Sequence, residues 1–236
     1  MLWLLVASTL VAAMDGAAPG DLTAALALEQ SGDDPGALRV LQRLIEASPG
    51  SVLPRLEAAR LRLKNGVELE RVERDLDAAA LGAPQHPQLA YLRGQLWEER
   101  GKPFRAIQFY EQAVTFEPAY AEARFRLATL CAAQRDWLKA EHHFRLLSQA
   151  RPEWVEVRLQ LARAIEAQGR APDSEKELLR LLGEQPGHPL ALRQLAGLYE
   201  RTGRTREATR IRAVLQQPSK STPKKKKMRP LRPSRR

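Results

Sequence analysis

Residues 87–120 read PQLAYLRGQLWEERGKPFRAIQFYEQAVTFEPAY, and residues 121–154 read AEARFRLATLCAAQRDWLKAEHHFRLLSQARPEW. Laid over each other, they place Ala106 on Ala140, Tyr110 on Phe144 and Pro118 on Pro152. The same step runs outward. Prolines stand at Pro84, Pro118, Pro152 and Pro186, always 34 apart. Small residues keep step at Ala106, Ala140, Ser174 and Ala208, and at Gly94, Ala128, Ala162 and Ala196. Large groups keep step at Trp97, Cys131, Ile165 and Tyr199, and at Tyr110, Phe144 and Leu178. Several registers sharing one period mark a tandem repeat.

Each period is built from good helix formers, with few β-branched residues. It divides into two runs of about three helical turns. Small residues belong where two helices cross closely, because a larger side chain would push the backbones apart. The large apolar positions fill the space between one hairpin and the next. Gly101, Gly169 and Gly203 suit a tight turn inside a hairpin, where φ is positive. Proline near the end of a period stops the second helix. A single hairpin buries too little to be stable, so stacking must supply the core.

A 34-residue period with a Leu-Gly or Leu-Ala pair, a large residue, Ala, an aromatic, Ala and Pro resembles the tetratricopeptide repeat family. The best match, 87–120, carries Gly94, Trp97, Gly101, Ala106, Tyr110, Ala113 and Pro118. The resemblance implies an all-α fold, a right-handed α-solenoid of about six antiparallel helix-turn-helix units. They fall at 18–51, 53–86, 87–120, 121–154, 155–188 and 189–215. The first two are weaker, with Arg60 and Val72 where small residues are usual. The last closes the array: Arg212 replaces the large residue, and Arg206 and Arg210 add to a polar outer face.

In this family the first helix of each unit lines a concave groove that holds a partner segment. The resemblance transfers that role to Tyr91, Leu92, Gln95, Glu98 and Glu99; to Phe125, Arg126 and Thr129; to Leu159, Gln160, Arg163 and Glu166; and to Arg193, Gln194 and Gly197. Tyr91 and Phe125 either form an apolar strip for a peptide or pack between helices. Arg126, Arg163 and Arg193 would orient carboxylates. The Lys/Asn clamp by which chaperone-binding members grip a C-terminal carboxylate has no counterpart, since its offsets hold Tyr91 and Gln95, or Glu57 and Leu61. Chaperone-tail recognition of that type is not expected.

Nine of the ten net positive charges fall in 216–236, which has five Lys, four Arg and no acid. The rest of the chain is almost neutral, which argues against a general polyanion groove. This proline-rich segment has too few apolar residues to offset chain ordering and is expected to be disordered. Lys224, Lys225, Lys226, Lys227, Arg229, Arg232, Arg235 and Arg236 are its candidate contacts with an acidic protein, an anionic membrane surface or nucleic acid. At the other end, residues 1–14 form an apolar segment too short to span a bilayer comfortably. Three readings stand open: an export signal cut after Ala13, a membrane anchor, or a leader before a start at Met14. The first two imply a periplasmic or membrane-associated protein and the third a cytoplasmic one.

No nucleophile elbow, phosphate-binding glycine loop or metal-ligand spacing is present. His142 and His143 are adjacent on a helix and diverge by about 100°. Cys131 stands at a packing offset. The acidic residues read as solvated helix faces. The sequence therefore predicts a non-enzymatic interaction scaffold, without cofactor, metal or small-molecule substrate, holding a protein partner in envelope assembly or motility. A nucleic-acid or acidic-surface protein acting through the basic end is the alternative.

Overall fold

In a computed structural model the chain is described over residues 19–216. The apolar segment 1–14 and the basic contacts Lys224–Lys227, Arg229, Arg232, Arg235 and Arg236 lie outside the described residues. The described part is a helical repeat solenoid of twelve helices: α1 (Pro19–Gln30), α2 (Asp34–Ala47), α3 (Val52–Lys64), α4 (Leu69–Gly82), α5 (Pro87–Glu99), α6 (Pro103–Phe116), α7 (Ala121–Ala133), α8 (Trp137–Ala150), α9 (Val155–Ala167), α10 (Ala171–Glu184), α11 (Pro189–Arg201) and α12 (Thr205–Gln216). Gln216, read from sequence as the start of the disordered tail, is the last residue of α12.

The helices form two compact units, one through Val157 and one from Arg158. In the first, α1/α2, α3/α4, α5/α6 and α7/α8 pair as hairpins, and α2, α4 and α6 also pack on the first helix of the next hairpin. Local signals fix the helix ends. Asp33 accepts a hydrogen bond from the Gly36 amide at 2.8 Å, and Asp136 caps α8 in the same way at the Lys139 amide. Pro87 and Pro103 stand in the first turns of α5 and α6, where no amide donor is needed. Gly101 takes φ +66° between α5 and α6.

The periodic small residues lie where the crossing argument puts them. Ala79, Ala106 and Ala140 are fully buried. Gly94 faces the Tyr110 ring so closely that a Cβ there would fall 2.4 Å from a ring carbon. In the second unit α9/α10 and α11/α12 repeat the plan, with Leu178, Leu181 and Ala208 buried. Ser174 replaces the periodic alanine and stays satisfied, because its hydroxyl donates to the Ala162 carbonyl at 2.8 Å.

Two acidic residues depart from the solvated-face reading. Asp75 and Glu141 are buried and paired, Asp75 with Arg62 and Arg55, Glu141 with Arg145. Burial of a carboxylate needs such partners.

Candidate functional site

The first helices of the first unit carry the candidate groove residues, and most of them are already engaged. Tyr91 is half-buried, its ring 5.7 Å from Tyr110 and 5.1 Å from Tyr120. Its hydroxyl accepts from Gln95 Nε2 at 3.2 Å. Burial pushes its phenol above the ordinary value, and Arg126 partly opposes that rise. Phe125 repeats the arrangement one period later, stacked on Trp154 at 4.9 Å and edge-on to Phe144 at 6.1 Å. Both rings therefore pack on neighbouring aromatics while staying half-buried. Each closes an aromatic trio: Tyr91 with Tyr110 and Tyr120, Phe125 with Phe144 and Trp154. Leu92, placed in the groove by offset, is fully buried instead. An i, i+1 neighbour of a surface position turns about 100° away from it.

The charged residues of this face tie successive first helices together. Glu29 on α1 holds Arg60 and Lys64 on α3. Glu57 on α3 accepts from Arg60 at 2.7 Å and from Gln88 on α5 at 3.0 Å. Glu98 on α5 accepts from the Tyr110 hydroxyl at 2.5 Å and lies 3.5 Å from Arg126 on α7. Arg60, anomalous in the repeat pattern, is thus the bridge between Glu29 and Glu57. Its hydrogen bond holds the Glu29 carboxyl below the usual range. Thr129 is exposed, and its hydroxyl bonds back to the Phe125 carbonyl at 2.9 Å. The ladder residues Glu29, Glu57 and Gln88 were not legible as site residues, because their pairing depends on rotamers across helices.

In the second unit the first-helix face differs. Arg163 and Arg193 are exposed and hold no carboxylate among the described residues. Arg163 donates to the Gln160 side-chain oxygen at 3.5 Å. Gln194 donates to the Leu159 carbonyl at 3.1 Å, while its own carbonyl oxygen is buried with no partner. Glu166 accepts from Arg201 at 2.6 Å, and Leu159 is buried. The Arg201 guanidinium lies against Gly197, where a Cβ would fall 3.2 Å from one of its nitrogens.

The remaining reactive types are packing groups. Cys131 is buried, and desolvation pushes its thiol up to about 11. The His142 and His143 rings meet edge-on with centroids 5.1 Å apart. Burial lowers His143 to about 4, aided by Arg124, His142 and Lys139 and opposed by Asp136. Its folded value is depressed, so between about 6.5 and 4 the unfolded chain binds the proton and the folded chain does not. Stability is therefore full above that window and falls as the pH drops through it. A loss of about 2 kcal/mol by pH 4 is expected, allowing for partial exposure of the ring. His143→Phe, which copies Phe109 one period earlier, should flatten this slope in urea titrations. An unchanged slope would assign the acid sensitivity elsewhere.

Tetratricopeptide repeat family models match residues 22–51 and 159–211. No curated protein sequence matches the chain. Among solved structures it is similar to PilW, a widely conserved type IV pilus biogenesis factor, at 17% identity and TM-score 0.67, covering 83% of this chain and 90% of that one. It is similar to YrrB, a tetratricopeptide repeat protein with an unusual peptide-binding site, at 16% identity and TM-score 0.66, covering 74% and 90%. It is also similar to MamA at 17% identity and TM-score 0.61, covering 70% and 90%.

Proposed function

Because the chain is a tetratricopeptide repeat protein, we propose that it is a non-enzymatic scaffold holding a partner polypeptide on the face of its first helices. The contact we propose is an acidic partner segment on Arg163 and Arg193. One contrast carries this reading. In the first unit the cations of that face are spent on Glu29, Glu57 and Glu98, whereas in the second Arg163 and Arg193 are exposed with no carboxylate among the described residues. A partner carboxylate meeting them gains charge-assisted hydrogen bonds and displaces no existing pair.

The setting we propose is assembly of an envelope complex or motility machine. The apolar start at residues 1–14 supports it. At 17% identity the PilW likeness supports the fold only.

Crosslinking pull-down with the full chain tests the groove. Arg163→Glu/Arg193→Glu should weaken capture of the main partner at least tenfold, since two charge-assisted bonds become repulsions. Undiminished capture would remove Arg163 and Arg193 from the site.

A further inference from the structure

The hairpin turns of the first unit carry a feature that the groove does not use. Phe104, in the first turn of α6, is 69% exposed, and Leu138, in the first turn of α8, is 73% exposed. They occupy one offset in successive hairpins. Glu70, Pro172 and Arg206 hold that offset elsewhere, so the apolar pair belongs to these two turns alone among them. Phe104 and Leu138 stand on the second helices of successive hairpins.

Cations surround the pair. Lys102 precedes α6 and is exposed, and Arg105 lies with its guanidinium 4.5 Å from the centre of the Trp97 ring. Arg135 sits in the turn before α8. None of the three has a carboxylate in ion-pair range among the described residues. The acids nearby are Glu99, Glu111, which holds Lys139, and Asp136, whose carboxylate caps α8.

Arg135 supplies the second, independent observation. Its φ is +63°. The matching turn residue is glycine at Gly32, Gly101, Gly169 and Gly203, all with positive φ. A side chain in that conformation is strained, and strain kept where glycine would fit points to a use for the side chain. Within the described chain the guanidinium has no ion pair that would offset it.

We propose that these turns form a peripheral docking edge for an anionic lipid surface, with Phe104 and Leu138 inserted at headgroup depth and Lys102, Arg105 and Arg135 on the phosphates. Both apolar side chains stand exposed in the first turns of their helices, where a flat surface reaches them. A bilayer offers what these side chains need together: negative charge at the rim and apolar depth beneath it. Binding by two side chains and three cations is weak, so the edge sets orientation beside a stronger attachment. The proposal is separate from the groove reading and shares no residue with it.

The test is co-sedimentation of the full chain with vesicles of phosphatidylcholine, with and without about 30% phosphatidylserine, at near-physiological salt. Wild type should partition onto the anionic vesicles only. Phe104→Ser/Leu138→Ser should partition at least tenfold less, although exposed side chains leave its melting unchanged. Arg135→Gly should bind about fivefold less, the share of one cation at an anionic surface, while melting at the same or a higher temperature. Arg163→Glu/Arg193→Glu should bind vesicles like wild type. Equal binding by wild type and both edge variants would overturn the proposal, as would equal uptake by neutral vesicles. If the edge variants lose a crosslinked protein while vesicle binding persists, the edge belongs to a protein partner and the proposal fails.

Discussion

Phe144→Ala should lower the unfolding free energy of the first unit by about 3–5 kcal/mol, the cost of deleting a buried aromatic ring. Phe144 is 1% exposed and backs the Phe125 ring, which in turn stacks on Trp154. Removing it leaves a cavity between α7 and α8 and takes away an edge-to-face contact besides. A domain with about 5–15 kcal/mol in hand would lose a large part of its margin. Phe144→Leu copies Leu178 one period later and should cost no more than about 1.5 kcal/mol, because volume is nearly kept. Urea unfolding followed by far-ultraviolet circular dichroism reads both. A loss below about 1.5 kcal/mol for the alanine variant would mean the trio is not a structural centre of this unit.

The trio shows what periodicity makes legible and where reading stopped. Tyr110 and Phe144 declare themselves by recurring at one offset, and the crossing alanines declare the hairpin. Tyr120 and Trp154 recur at the same step, but they stand in the turns between hairpins, so a search along helix faces passes over them. Once they are counted, Tyr91 and Phe125 are members of aromatic trios and remain half-buried. Leu92 and Leu159 fail as groove positions for a geometric reason. Offsets borrowed from a family specify a position on a helix, and a difference of one residue rotates it from the surface into the core.

Charge was less legible than shape. Neutrality of the array follows from composition, but composition does not distinguish a solvated carboxylate from one clamped across helices. Glu98 and Arg126 are 28 residues apart in sequence, and Glu122, four residues before Arg126, is the pairing that helix spacing would choose instead. The exposure of Arg163 and Arg193 is equally a tertiary fact, since it depends on the absence of acids at the facing positions of α9 and α11. The αL turn at Arg135 went unread, because arginine stands there where Gly101, Gly169 and Gly203 hold the column.

Asp75→Ala should destabilise the first unit by about 3 kcal/mol or more, because it leaves Arg62 buried with its best partner gone. Arg62 is 3% exposed in its side chain and donates to Asp75 Oδ2 at 2.6 Å, with Glu68 at 3.0 Å as its other carboxylate. Asp75 also accepts from Arg55 at 3.3 Å. Even between these two guanidinium groups, burial raises the Asp75 carboxyl above its ordinary value, so desolvation outweighs attraction at this site. The repeat itself offers the replacement. One period later Leu96 and Phe109 stand at the offsets of Arg62 and Asp75, and Leu96 is buried. Arg62→Leu/Asp75→Phe should therefore recover most of what Asp75→Ala loses, to within about 1 kcal/mol of wild type. A double-mutant cycle in urea measures the coupling directly. If the apolar pair is as damaging as Asp75→Ala alone, the ion pair contributes net stability here and does not merely avoid an unpaired charge. The irregular second hairpin, with Glu68 at φ +53° beside this pair, would then be held in its departure from the repeat by Arg62 and Asp75.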